Sequence, residues 1–412
     1  MDEGLAGGFH DSLGDVGPGD QNRVWNQVSK VARNMAYDVF HVPRSMHWFS
    51  GFVHHTPGLW RWLGNVESLS LGQQLRSIEI RQPCFIAGLA RSGSTLLLEI
   101  IASHVSVATH RYRDFPLIDT PCWWNRFLDL AARGGTEPAE RAHGDGLLVT
   151  PQSPEAMEEM LWMRFFPDLH DPSQSNVLDR RSKNPAFEQF FQDHLRKLLL
   201  IRGGTRYASK GNYNLTRLEY LQEQFPDARI VLALRRPRDH VASLRKTHAL
   251  FCQAAAAQPR SLAHLQRTGH FEFGRDRRAI NAGDDEVVRS VAELWKAGEE
   301  VRGWARYWAH LYGHVAERLG ADTALREASM VVRHEDLCAD TEARIRRLMQ
   351  HCQLAPVEEV VDRYRDAVQL PTYYEAGFTA AEEAAIEEET QAVAALFGYE
   401  SETLLADYPL VS

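Results

Sequence analysis

The chain has 412 residues, and its 46 Lys and Arg against 55 Asp and Glu give a formal net charge of −9. Its 44% hydrophobic and 25% charged residues are typical of a soluble globular protein. Bulk binding of nucleic acid depends on cationic surface, which disfavours that class of partner for a mildly acidic chain. No apolar run approaches the roughly 20 residues that a membrane helix needs, so we expect no membrane span.

The amino-terminal region predicts a tail followed by helices. Residues 1–20 are rich in Gly and acidic residues and lack the apolar segment of a signal peptide, so a disordered tail is expected. Apolar residues recur every three to four positions in 21–40, which predicts an amphipathic helix within a helical extension at 21–80. Five scattered Cys without a CxxC pair favour reduced thiols and a cytoplasmic location.

Four short apolar runs predict the strands of one sheet. They lie at residues 84–88, 206–209, 229–234 and 329–332, and helical patterns at 94–103 and 237–250 follow two of them. Continuous apolar strands that alternate with helices are typical of a parallel sheet covered on both faces. We therefore predict an α/β fold in three layers, with a central, mostly parallel sheet flanked by helices. Polar segments at 133–146 and 269–286 predict surface loops, and an acidic helix is expected to end near Phe397.

A glycine-rich loop joins the first predicted strand to its helix. Residues 88–95 (GLARSGST) have the glycine spacing and final Thr of a Walker A loop, but Ser94 replaces the lysine. Such a loop directs successive backbone N–H groups at an anion in front of a helix N-terminus. The nearest cation is Arg91, and no predicted strand ends in a convincing magnesium-binding Asp. The loop is therefore better suited to an anion with less charge than a magnesium-bound triphosphate.

Two segments together resemble a known enzyme family. Arg91-Ser92-Gly93-Ser94-Thr95-Leu96 resembles the phosphosulfate loop of sulfotransferases that use 3′-phosphoadenosine-5′-phosphosulfate (PAPS). Residues 225–244, which include Arg235, Pro237 and Ser243, are similar to that family's 3′-phosphate-binding element. The resemblance spans about residues 82–400 and looks closest to the bacterial and tyrosylprotein branch. It implies a P-loop-like sulfotransferase domain at 81–400 and a tail at 401–412.

The resemblance also implies roles for individual residues. Arg91 and the loop residues 92–96 would bind the 5′-phosphosulfate, whereas Arg235 and Ser243 would bind the 3′-phosphate. Lys210 would neutralise charge on the sulfuryl group or the bridging oxygen. A base for the acceptor is expected in residues 109–116. Asp114 is the closest positional match there, and His110 is the alternative because its ordinary pKa suits the task.

The expected reaction is in-line transfer of a sulfuryl group from PAPS to a hydroxyl, or less often an amine, of an organic acceptor, with no metal required. The alternatives are a P-loop kinase of small molecules and a non-catalytic nucleotide-binding scaffold. Neither the acceptor nor the oligomeric state is indicated. Trp123, Trp124 and Phe127 either line an acceptor cleft or belong to the core, and the arginines of 275–278 either clamp an anion or lie on a solvated loop. The pair His54–His55 does not form a recognised metal-binding spacing.

Overall fold

A computed structural model describes residues 41–131, 139–140, 148–365, 367–368 and 377–399. The predicted tails at 1–20 and 401–412, the predicted helix at 21–40 and most of the predicted loop at 133–146 lie outside the described residues. Within the described part, no helix is long and apolar enough to cross a membrane.

The centre of the fold is a five-stranded sheet in which every neighbouring pair is parallel. Its strands are β1 (Cys84–Ala87), β2 (Val107–Ala108), β5 (Arg206–Gly211), β6 (Arg229–Leu234) and β7 (Ser329–Arg333), in the order β2-β5-β1-β6-β7. Two short strands, β3 (Ala139–Glu140) and β4 (Leu148–Val149), form a separate antiparallel pair. All four predicted strands are confirmed, and β2 is too short to leave a pattern.

Helices surround this sheet. The described helices are α1 (Arg44–His55), α2 (Pro57–Arg76), α3 (Ser94–Ala102), α4 (Pro121–Ala131), α5 (Glu159–Phe165), α6 (Pro185–Arg202), α7 (Leu218–Gln224), α8 (Pro237–Ala257), α9 (Pro259–Thr268), α10 (Asp285–Lys296), α11 (Glu300–Ala321), α12 (Thr323–Ala328), α13 (His334–Ala339), α14 (Thr341–His351), α15 (Glu358–Arg365) and α16 (Ala380–Leu396). Short 3₁₀ turns occupy Tyr112–Asp114 and Tyr213–Thr216. As predicted, the last helix is followed by Phe397 and by Gly398, whose φ is +77°.

Alternate side chains of the central strands enter different cores. Ile86 and Val231 pack in a core that also contains residues of α3, α14 and α15. Ile230 and Leu232 pack on the other side with aromatic residues of α11, including Trp308. Because both faces of the strands are covered, the strand sequences are apolar throughout instead of alternating. The predicted three-layer α/β fold is thereby confirmed.

The segment 269–286 is not the solvated surface loop that its sequence predicted. Phe271, Phe273 and Ile280 of this segment are buried. Arg277 forms an ion pair with Glu300 and lies over the ring of Trp295, so both contacts hold its side chain against the protein. Polar composition alone predicted a surface loop here, whereas the aromatic residues within it anchor the segment to the core.

Candidate functional site at the carboxyl edge of the sheet

The loop between β1 and α3 folds tightly around two glycines. A Cβ at Gly88 would lie 2.7 Å from the carbonyl oxygen of Ala233 on the neighbouring strand. Gly93 caps α3 with a φ of +94°, and a Cβ there would lie 3.0 Å from Nδ1 of His334. Glycine adopts such a conformation at little cost, and its missing side chain leaves the backbone accessible. The first-turn N–H groups of α3 have no acceptors within the helix, so the loop forms a cradle for an anion.

Two arginines meet at this cradle from different parts of the chain. Arg91, within the loop, donates from Nε to Oγ of Ser243 on α8 at 3.2 Å. Arg235 directly follows β6 and is only 7% exposed, with Nη1 3.5 Å from the carbonyl oxygen of Arg91. Parallel strands place their carboxyl ends at one edge of a sheet, which explains why residues 144 positions apart come together. The structure thus brings together three of the residues that the sequence proposed for donor binding.

Two histidines line the same region, and the first of them lies within the segment 225–244 that resembles a 3′-phosphate-binding element. His240 of α8 lies 2.8 Å from the carbonyl oxygen of Ala90, and its pKa is lowered to about 3 by burial and by the charges of Arg235 and Arg91. His334 begins α13 beside Gly93, and burial together with the same two arginines lowers its pKa to about 4. Both histidines are therefore neutral at pH 7. Burial is the main cause of these low pKa values, and the two arginines, whose positive charge an anion site requires, lower them further.

Lys210 lies near the end of β5, at the same edge of the sheet. Its Nζ is 3.5 Å from Oε1 of Glu155, and both side chains are mostly buried. It lines a cleft together with Glu158, Asn212, His270 and Glu272. The sequence predicted Lys210 but gave no sign of these neighbours, which come from three separate segments.

Within this cleft, His270 and Glu272 form a pair. His270 Nδ1 lies 3.6 Å from Oε2 of Glu272, and Asn212 donates to the other oxygen of that carboxylate. Burial would lower the pKa of His270, but the hydrogen bond and charge of Glu272 outweigh it and raise the pKa above the ordinary value of 6.5. The His270 side chain is 34% exposed, so it combines a fixed orientation with access from solvent.

Asp114 lies in a different environment, because its carboxylate is fully buried. Oδ1 accepts hydrogen bonds from Asn125 and from Arg202 of α6, whereas Oδ2 accepts one from the backbone N–H of Arg111 at 2.9 Å. Oδ2 also lies 3.4 Å from Nδ1 of His110. Burial alone would raise the pKa of Asp114, but the hydrogen bond and charge of His110 and the charge of Arg202 hold it well below its usual range. Both oxygens are engaged in contacts that a structural carboxylate makes.

His110 is equally buried. Its Nε2 lies 3.0 Å from Nε2 of His194, and the two rings stack with centroids 4.9 Å apart. Neither His110 nor Asp114 is among the described residues that line the cleft of Lys210. The two predicted bases therefore lie outside the lining of this cleft, although the carbonyl oxygen of His110 accepts a hydrogen bond from the backbone N–H of Glu155 at 3.0 Å.

The aromatic residues of α4 belong to the surface instead of the core. Trp124 stacks on Phe127 with ring centroids 5.5 Å apart, and Phe127 is 58% exposed. The described residues include no cluster of three or more His, Cys, Asp or Glu side chains that could hold a metal ion.

Comparison with known proteins finds similarity to sulfotransferases. A search of curated proteins found no match. Among solved structures, the chain is similar to sulfotransferase STF1 from Mycobacterium tuberculosis H37Rv (16% identity, 81% of this chain and 83% of that chain covered, TM-score 0.45). It is also similar to sulfotransferase STF9 from Mycobacterium avium (14%, 79% and 80%, 0.41) and to a sulfotransferase from Alicyclobacillus acidocaldarius (16%, 75% and 96%, 0.31). Residues 83–283, which hold the loop, Lys210, Arg235 and Ser243, match the profile described as "Sulfotransferase family", and this part of the chain therefore belongs to that family.

Proposed function

We propose that the protein is a PAPS-dependent sulfotransferase that acts on a hydroxyl, or less often an amine, of an organic acceptor. The observation that carries this proposal is the convergence of Arg91, Arg235 and Ser243 on a glycine cradle that has no lysine. Two cations and a helix N-terminus suit the separate phosphate groups of a nucleotide with a modest total charge.

The residues present fit such a donor. Arg91 and the backbone N–H groups of 92–96 would hold the 5′-phosphosulfate, and Arg235 with Ser243 would hold the 3′-phosphate. Gly88 and Gly93 allow the loop to fold this tightly, since a Cβ at either position would collide with a neighbouring residue of the protein. When bound, PAPS supplies an activated sulfuryl group with a phosphate as its leaving group.

The transfer forms a bond between the acceptor oxygen or nitrogen and sulfur as the bond from sulfur to the bridging oxygen breaks. Lys210 would neutralise the charge that develops on that bridging oxygen. The acceptor's proton must pass to a base. The geometry supports His270, held by Glu272 in the cleft of Lys210, for this role. Asp114 and His110 stay predictions drawn from the family resemblance, and their burial in ion pairs and ring contacts favours a structural role.

Arg235→Ala tests the donor site, with Arg236→Ala as its matched control. Arg236 is the next residue and is exposed, so its loss removes the same charge from outside the site. We expect calorimetry to show that Arg235→Ala loses about 2–4 kcal/mol of affinity for the desulfated product PAP, and that Arg236→Ala loses little. Wild-type affinity in folded Arg235→Ala would exclude Arg235 from 3′-phosphate binding.

Turnover of labelled PAPS on a panel of hydroxyl and amine acceptors separates the remaining functions. Sulfated product together with preference for PAP over Mg·ATP supports the proposal. Preference for Mg·ATP would indicate a kinase, and PAP binding without turnover would indicate a scaffold.

A further inference from the structure

A second cleft lies between α1, α5 and α9. Its volume is about 190 Å³, and none of its lining residues belongs to the loop at 88–95 or to the cleft of Lys210. Most of the lining is apolar and comes from Pro57, Phe115, Met160, Met163 and Pro167. A protein cavity of ~150 Å³ can already hold a benzene ring, so an aromatic ring or a short alkyl chain fits here.

Arg267 of α9 lies on the polar side of this cleft, and all its hydrogen-bond partners are neutral. It donates to the carbonyl oxygen of His47 at 2.7 Å and to Oγ of Ser50 at 3.1 Å. No carboxylate among the described residues lies within ion-pair distance of its guanidinium. Burial lowers the pKa of Arg267, as expected for a cation that has lost water without gaining a counter-charge.

The other charged groups in the lining of the cleft do not offset the positive charge of Arg267. Arg164 forms a buried ion pair with Asp119, so those two charges cancel. His54 is the remaining titratable group in the lining. Its pKa is lowered by burial and then by His55, Arg267 and Arg164, which reflects a positive local potential. The cleft therefore combines an apolar wall with one net positive charge.

We propose that this cleft is a binding site for a small apolar carboxylate, whose ring or chain packs against Met160, Met163 and Phe115 and whose carboxylate pairs with Arg267. A planar guanidinium binds a carboxylate through two parallel hydrogen bonds, and a bound anion offsets the cost of a partly buried, unpaired cation. Methionine side chains adapt readily to the shape of an apolar guest. The site does not depend on the proposed sulfuryl transfer. Helix α5 carries both methionines and begins directly after Glu158, which lines the Lys210 cleft, so an occupant would lie close to that cleft.

Benzoate is the probe, and benzyl alcohol is its neutral counterpart. In protein labelled at the methionine methyl groups, benzoate should shift the signals of Met160 and Met163 with a Kd of about 1 mM or tighter. Benzyl alcohol should bind at least roughly ten-fold more weakly because it lacks the charge-assisted contact. Equal affinity for the two compounds would overturn the role of charge. Absence of saturable shifts at these methionines up to about 20 mM benzoate would overturn the site itself.

Two variants make the test independent of any one side chain. Arg267→Met should abolish the preference for benzoate, whereas Arg260→Met is the control. Arg260 lies on the same helix and donates to the carbonyl oxygen of Val42, outside the lining of the cleft. Because Arg267 also joins α9 to α1, Met163→Trp provides a second variant that fills the cleft and keeps the arginine. If folded Met163→Trp binds benzoate as the wild type does, the carboxylate lies elsewhere and the proposal fails.

Discussion

Asp114→Asn distinguishes a structural carboxylate from a catalytic base. The substitution keeps the shape of the side chain but removes the counter-charge of Arg202, whose side chain is only 5% exposed. Removing one partner of a buried ion pair typically costs about 3–5 kcal/mol, because the other charge stays buried and uncompensated. We therefore expect urea unfolding at pH 7 to show a free energy of unfolding lower by that amount. Asp129→Asn is the control. Its carboxylate is 66% exposed and pairs with Arg113 at the surface, so its loss should change stability by less than about 1 kcal/mol.

The pH dependence of stability gives a second test of the wild type against Asp114→Asn. The pKa of Asp114 in the folded protein lies well below the ordinary 3.8. A carboxylate with a depressed folded pKa contributes its full stability above the unfolded pKa and loses it as the pH falls through the folded value. The stability difference between wild type and Asp114→Asn should thus be constant above about pH 5 and shrink below about pH 4. If Asp114→Asn instead has wild-type stability and turns over ~10²–10⁴-fold more slowly, Asp114 is the base and the structural argument is refuted.

Two further predictions concern the acceptor side. Lys210→Ala should lower kcat by about 10²-fold or more and leave PAP affinity nearly unchanged, because the charge of Lys210 acts on the bridging oxygen as it leaves. A wild-type kcat in this variant would show that Lys210 has only a structural role. The rate of the wild-type enzyme should fall at acidic pH with a midpoint above pH 6.5, because Glu272 raises the pKa of His270. His270→Asn should abolish this acidic limb of the pH–rate profile. If the His270→Asn enzyme keeps this limb, another residue is the base.

The fold was accessible from sequence because its strands are buried on both faces. Runs such as 84–88 and 229–234 can be recognised as apolar from the local sequence alone. The first ends at a glycine, and the second is followed closely by a proline that starts a helix. Strand β2 was missed because it has only two residues, Val107 and Ala108, and forms by pairing with β5. The burial of 269–284 was missed for a related reason, since polar residues dominate the segment and only a few apolar residues, such as Phe273 and Ile280, reach the core.

The donor side of the site follows local rules, and the acceptor side does not. The loop follows β1 and Arg235 follows β6, and because these strands are parallel neighbours, their carboxyl ends meet at one edge of the sheet. The prediction of Asp114 as the base depended on spacing. The pKa of Asp114, however, is held low by His110, at i,i+4 in the chain, and by Arg202, 88 residues later, which no local pattern associates with it. His270 and Glu272 likewise reach Lys210 only because α9 ends at the edge of the sheet. A carboxylate's position in the chain could be predicted, but its pKa depends on the cations that the fold brings to it.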